Sequence, residues 1–327
     1  MSLQKLILLA IVGFFAQLVD GALGMAYGVT STTMLLVIGI TPAMASASVH
    51  LAEIGTTLAS GAAHWKLGNV NWRVVGILAV PGGVGAFAGA TALSNISGDL
   101  AKPWTAGILF FLGLYVLGRF LFWKERKIAA DAKPLPKRFL MPLGLFGGAL
   151  DAMGGGGWGP VATPSLLASG RMQPRQVIGT VDTTEFVIAV CASVGFLLSL
   201  GKEVILWPIV AAILVGGVFA APLAAWLVRF LHPRVLGTAV GGLILVTNAR
   251  TLTTALEFSA AQTTATYIVL TAIWAVALGY TAWHLRKNGD SILALNKEEP
   301  RAQSPHHAPE AKPEKTKRAT ELAGEGA

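Results

Sequence analysis

Four ionisable residues lie deep inside apolar segments, two in each half of the chain. Glu53 and Glu185 come about ten residues after the start of their segments, which is about 15 Å along a helix. His50 and Asp182 lie one helical turn earlier and share the faces of the two glutamates. Because a charge is costly in an apolar medium, such groups normally face a cavity, pair with each other or carry protons. These four residues are therefore candidates for proton coupling, with structural hydrogen bonding as the alternative.

Glycine-rich clusters interrupt two other apolar segments, the first between Asp20 and Gly28 and the second between Asp151 and Gly159. They are not nucleotide-binding loops, since no strand precedes them and no Lys-Ser/Thr pair follows. Where a helix restarts after a break, its free N–H groups and positive dipole end can bind an anion. The residues expected to contact such an anion are Gly24, Tyr27, Gly28, Thr32, Gly155, Gly156, Gly157, Trp158, Gly159 and Thr163.

Other interpretations of these residues stay open. Asp20 and Asp151 are expected to cap the helices that follow the breaks, whereas an intramembrane aspartyl protease would use two such acids as a catalytic dyad. The glycines could simply let helices pack closely. His50 and Glu53 could carry a metal ion, but the second half offers Asp182 and no histidine at the matching place. The sequence predicts no resident metal, no cofactor and no enzymatic activity.

Composition indicates what surrounds these residues. The 327 residues are 54% hydrophobic and 13% charged, with a mean hydropathy of +0.62. Several continuous apolar runs reach the roughly 20 residues that a helix needs to cross a bilayer, and alternation typical of a barrel is absent. The formal net charge is +8, but the lysines and arginines lie in the connections between helices and in the tail, so no nucleic acid is expected as a partner. The sequence predicts an all-α polytopic membrane protein whose partners are the lipid bilayer and a small anion.

The chain contains an internal repeat, with halves at about 5–123 and 138–256. The two glycine clusters align, and downstream Pro42 pairs with Pro174. In each half, the apolar pattern predicts two short helices around the break, followed by three longer helices. Each short helix is too short to cross the bilayer comfortably alone. The predicted helices include 6–19, 25–39, 43–63, 73–93 and 104–123 in the first half, 176–200, 204–228 and 233–250 in the second, and an extra helix at about 264–285.

The repeat also predicts an orientation. Each half crosses an odd number of times, so a tandem copy must be inverted. With the N-terminus outside, most basic residues of the connections lie inside, as the positive-inside rule requires, and residues 40 and 172 lie outside and inside. The membrane domain is then 1–287, in the cell inner membrane. The tail 288–327, rich in Lys, Glu, Pro, Ala and Ser, is expected to be disordered and cytoplasmic. A homo-oligomer is compatible with the sequence.

The residues around the breaks resemble a known family. Each break is followed by a helix that opens after Pro42 or Pro174, and a basic turn runs from His64 to Arg73. Together with the glycine-rich element from Met153 to Pro160, this pattern resembles the sulfite exporter TauE/SafE family of membrane permeases. The resemblance covers most of the chain before the tail. In the first break, Leu23, Met25 and Ala26 replace glycines of the family pattern.

The resemblance implies secondary active export or uptake of a small sulfur-containing or organic anion, such as sulfite or a sulfonate. We expect export, with the substrate between the two glycine breaks and with alternating access by rocking of one repeat against the other. A passive anion channel is the main alternative, followed by a metal-ion carrier and an intramembrane enzyme.

Overall fold

The computed structural model describes residues 2–23, 25–122, 134–202, 205–227 and 232–288. Within these ranges the chain forms eleven α-helices and no strand. In chain order they are α1 (Leu3–Leu23), α2 (Tyr27–Val37), α3 (Pro42–Lys66), α4 (Trp72–Ser94), α5 (Gly98–Leu121), α6 (Lys137–Gly154), α7 (Trp158–Ala168), α8 (Pro174–Leu200), α9 (Trp207–Leu227), α10 (Pro233–Ala255) and α11 (Ala260–Lys287). The predicted tail from residue 289 onward lies outside the described residues.

This architecture confirms the predicted all-α polytopic membrane fold. The helices follow the expected order: two helices around a break and then three more, in each half, with α11 at the end. Windows long and apolar enough to cross a membrane are Leu3–Asp20, Trp72–Ser94, Gly98–Leu121, Gln176–Leu200 and Ala260–Lys287. Large apolar side chains such as Phe111, Phe219 and Val276 are about two-thirds exposed, as expected where lipid replaces water.

The helices on the two sides of each break differ in length, which the sequence did not predict. α1 has 21 residues, about 31 Å at the helical rise, so it can cross the hydrocarbon alone. The expectation that it was too short was wrong, because the helix continues past Asp20 up to the glycines. α2 and α7 have 11 residues each, about 16 Å, and cannot cross. Each break therefore joins a longer helix to a half-length one.

The packing of the helices repeats between the halves. α1 packs on α9 as α6 packs on α4, and α3 packs on α8 at the centre of the fold. α5 packs on α10, and α11 covers α10. The main contacts are thus unchanged when α1–α5 are exchanged with α6–α10, while the inverted orientation stays a prediction.

Glycines set the separation of the helix pair α4 and α6. A Cβ added to Gly144 would lie 2.7 Å from the carbonyl oxygen of Leu78, and one added to Gly89 would lie 2.6 Å from that of Ala149. Small residues allow such backbone contact between helices in a membrane. These glycines therefore let α4 and α6 pack with their backbones in close contact.

Helix starts follow ordinary local rules. Pro42 and Pro174 occupy the first turns of α3 and α8, where the missing N–H has no helical partner. Asn71 caps α4 by accepting a hydrogen bond from the N–H of Val74 at 3.2 Å. The two prolines and the Asn71 cap mark where α3, α8 and α4 begin, and therefore how far along α3 and α8 the ionisable residues lie.

Candidate functional site

The two breaks meet in the interior at Gly28 and Gly156. A Cβ added to Gly28 would lie 2.6 Å from the Cα of Gly156 and 2.7 Å from Oε1 of Glu53. A Cβ on Gly156 would collide with the backbone of Gly28. The first turn of α2 therefore touches the loop between α6 and α7, and the carboxyl group of Glu53 lies beside the contact.

A hydrogen bond and two unusual backbone conformations hold this contact. The hydroxyl of Thr32 donates to the carbonyl oxygen of Gly155. Gly155 and Gly156 have φ values of 68° and 141°, in the region that side-chain-bearing residues rarely adopt. Glycine is thus required at the second break for both conformation and space.

His50 connects the two halves. Its Nε2 lies 3.0 Å from Oδ2 of Asp151 and 4.0 Å from Oε2 of Glu53. Its Nδ1 lies 2.8 Å from the carbonyl oxygen of Ser46, which can only accept, so Nδ1 carries a hydrogen and donates it. The hydroxyl of Ser46 donates to the carbonyl oxygen of Ala152 at 2.7 Å. α3 is therefore bonded to the end of α6 by two side chains.

The two aspartates accept hydrogen bonds from the helices that follow the breaks. Oδ1 of Asp151 accepts from the N–H groups of Gly157 and Trp158 at 2.7 and 2.9 Å. Oδ1 of Asp20 accepts from the N–H of Tyr27 at 3.3 Å. The carboxyl groups of Asp20 and Asp151 thus already bond some of the first N–H groups at the start of α2 and α7. This is the geometry of a helix cap.

Glu53 is the residue of this cluster whose side chain lacks hydrogen bonds. It is 1% exposed, and neither carboxyl oxygen has a hydrogen-bond partner. A buried polar group left unpaired costs free energy, and a buried charge costs more. The site is thus built around a carboxyl group that is ready to take a proton, a cation or a hydrogen-bond donor.

The second-half counterparts have different surroundings. Asp182 is 5% exposed, and its Oδ2 accepts a hydrogen bond from the hydroxyl of Ser60. Glu185 is 8% exposed. Among the described residues, no hydrogen bond joins either acid to His50 or Glu53, so the four predicted residues do not form a single bonded group.

The aromatic residues expected at the substrate are tied to neighbouring helices in this conformation. The hydroxyl of Tyr27 donates to the carbonyl oxygen of Ile213 in α9 at 3.2 Å. Nε1 of Trp158 donates to the carbonyl oxygen of Val181 in α8 at 3.0 Å. Both side chains are at most 3% exposed. They anchor α2 and α7 and do not line an open cavity.

The remaining predicted residues take simpler places. Thr163 and Gly159 are buried within α7, and Gly24 lies outside the described residues. Ser46, which bonds both His50 and the second half, was not among the residues predicted from the sequence. Its position four residues before His50, on the same helix face, was the available signal.

Comparison with known proteins adds family information to this geometry. The family model described as Sulfite exporter TauE/SafE matches residues 9–251. The chain is 51% identical over 288 residues to the probable membrane transporter protein YtnM of Bacillus subtilis (strain 168), an alignment that covers 88% of this chain and 95% of that protein. It is 27% identical over 177 residues to the probable membrane transporter protein YdhB of the same organism, covering 54% of this chain and 71% of the relative. No solved structure matches the chain.

Proposed function

The chain belongs to the sulfite exporter TauE/SafE family of membrane transporters, and from this premise we propose that it exports a small sulfur-containing or organic anion, such as sulfite or a sulfonate, by secondary active transport. The transporter lies in the inner membrane with its N-terminus outside and its tail in the cytoplasm. The anion binds between the breaks, where α2 and α7 begin.

The observation that carries the proposal is the place of Glu53. Its unpaired carboxyl group lies where the two halves touch, beside Gly28 and close to Gly156. If one repeat rocks against the other, this group becomes accessible first from one side of the membrane and then from the other. An ionised Glu53 would repel an anion at the breaks, so the anion and a proton bind together.

The beginnings of α2 and α7 supply the attraction for the anion. The first N–H groups of a helix have no partners within the helix, and the dipole adds positive potential there. Asp20 and Asp151 accept the N–H groups of Tyr27, Gly157 and Trp158. We assign the N–H groups of Gly28 and Gly159 to the anion, which reaches them when the contact between the breaks opens.

Glu185 is proposed as a second proton carrier, with Asp182 beside it. Both acids lie on α8, which packs against α3 at the centre of the fold. Their low exposure in a lipid-facing protein makes permanent negative charge costly. A proton path through Glu185 in the second half would thus lead towards the contact between the two breaks.

The test is sulfite flux in proteoliposomes with an imposed pH gradient. In Glu53→Gln, the amide resembles a protonated carboxyl group but has no proton to release. We expect sulfite exchange at equal pH to continue and proton-driven accumulation to stop. Glu185→Gln is expected to weaken the pH dependence, and Asp99→Asn, an exposed acid, is the control with unchanged flux.

Two outcomes would contradict the proposal. Unchanged flux and an unchanged pH profile in both Glu53→Gln and Glu185→Gln would remove the coupling role of these acids. A wild-type protein in which a sulfite gradient drives no uphill proton movement would instead be a passive channel.

A further inference from the structure

Three side chains from the two halves place one ligand atom each around a common point. Nε2 of His50, Oε2 of Glu53 and Oδ2 of Asp151 all lie within 4.8 Å of one another. The His50 nitrogen is 3.0 Å from the Asp151 oxygen and 4.0 Å from the Glu53 oxygen. Metal–ligand bonds of about 2.0–2.2 Å place ligands of one ion at about 3–3.6 Å from each other, so the Glu53 carboxyl group must move closer to the other two ligand atoms when the ion binds.

The surroundings orient these same atoms towards one another. His50 donates its Nδ1–H to the carbonyl oxygen of Ser46, which turns Nε2 towards the cluster. Oδ1 of Asp151 is held by two backbone N–H groups, and Oδ2 is hydrogen-bonded to Nε2 of His50, so a metal ion would replace the hydrogen that these two atoms share. Such outer hydrogen bonds are typical of residues that bind metals.

Glu53 supplies the independent sign that a ligand is missing from the bonding pattern. Both of its oxygens are buried without a hydrogen-bond partner, beside the nitrogen of His50. Buried side-chain oxygens are ordinarily bonded, so this carboxyl group calls for a specific explanation.

We propose that His50, Glu53 and Asp151 bind one divalent transition-metal ion. One imidazole nitrogen and two carboxylate oxygens suit Mn²⁺, Fe²⁺, Co²⁺ or Zn²⁺ better than Mg²⁺ or Ca²⁺, which prefer oxygen alone. At the sequence level a metal was disfavoured because Asp182 replaces histidine at the matching place. In the structure, the third ligand of the proposed metal site is Asp151, which lies at the break of the second half.

The metal site does not depend on which anion is transported, but its effect on transport rests on the proposed proton-carrying role of Glu53. Because α3 supplies two ligands and α6 supplies the third, a bound ion would fasten the two halves together in the closed arrangement. A metal ion and a proton would compete for Glu53, so bound metal inhibits transport and does not drive it.

The test uses Co²⁺ as an optical probe with the purified full-length protein, free of affinity tags. We expect one Co²⁺ per chain, with visible absorption bands of a low-coordinate site, and at least about tenfold weaker binding in His50→Gln and Glu53→Gln. Asp182→Asn, a buried acid outside the cluster, should bind Co²⁺ as the wild type does. His306 and His307 of the tail are present in every variant, so their contribution cancels.

The proposal fails if wild-type protein shows no Co²⁺ bands at millimolar Co²⁺, or if Glu53→Gln gives the same bands and affinity. Should a variant not fold, a second measurement on the wild type decides. Zn²⁺ must raise its unfolding temperature, since an ion that binds only the native state stabilises it, and a chelator must reverse the rise. An unfolding temperature unaffected by Zn²⁺ would overturn the metal site.

Discussion

Asp20 and Asp151 stand at matching places in the two halves, but they are bonded differently. Asp151 accepts two short hydrogen bonds from backbone N–H groups and also contacts His50. Asp20 accepts one hydrogen bond from the backbone, at 3.3 Å. The second break is therefore fixed to α3 as well as to its own helix, whereas within the described part of the chain the side chain of Asp20 bonds only to the helix that follows it.

The backbone shows the same difference. The second break turns at Gly155 and Gly156, where positive φ is free of strain. The first break places Ala26 at a φ of 97°, a conformation that costs a non-glycine residue about 1–3 kcal/mol. One repeated motif therefore has two roles: the second break holds the ionisable cluster through several hydrogen bonds, and the first break has fewer such bonds and a strained alanine.

The largest expected effect separates the two aspartates. Asp151→Ala removes a cap and leaves His50 without its carboxylate, and breaking a buried pair costs about 3–5 kcal/mol. Asp20→Ala removes one cap bond and should lower the free energy of unfolding by about 1 kcal/mol. Unfolding of the purified proteins in detergent, followed by circular dichroism, measures both. Equal losses would show that the two breaks are held equally.

A smaller effect of opposite sign is expected at Ala26. Ala26→Gly relieves the left-handed alanine and should raise the free energy of unfolding by about 1 kcal/mol. The control is Gly157→Ala at the matching position, where φ is −130° and the new Cβ would lie 3.2 Å from the backbone nitrogen of Asp151. That change should be slightly destabilising. A destabilised Ala26→Gly protein would contradict the strain assigned to the first break.

An effect of similar size is expected for the hydrogen bond between the breaks. Thr32→Val removes the hydroxyl that donates to Gly155 and should cost about 1 kcal/mol. Ser31→Ala is the matched control, since the neighbouring hydroxyl is fully buried but has no hydrogen-bond partner. It should change the free energy of unfolding little. A loss as large in Ser31→Ala would mean that the Thr32 bond contributes nothing special.

Much of the fold could be predicted from local signals. Continuous apolar runs gave the helices, glycines gave the breaks, and proline at the first turn gave the starts of α3 and α8. The length of α1 could not be predicted, because nothing local distinguishes a helix that stops before Asp20 from one that continues through it.

The site was less predictable because its bonds cross the repeat. His50 and Asp151 are separated by 101 positions in the chain, and internal alignment pairs His50 with Asp182 instead. Periodicity identifies residues that share a helix face, but it does not show which loop of the other half packs on that face. The fixing of Tyr27 and Trp158 to carbonyl oxygens of α9 and α8 is likewise a result of tertiary packing.

The backbone contact between Gly28 and Gly156 limits how the two halves can separate. Because neither residue has a side chain, the contact opens only when the backbone of α2 or of the second break moves. A Cβ at either position would lie less than 3 Å from the opposing backbone, so a larger residue there must push the two breaks apart.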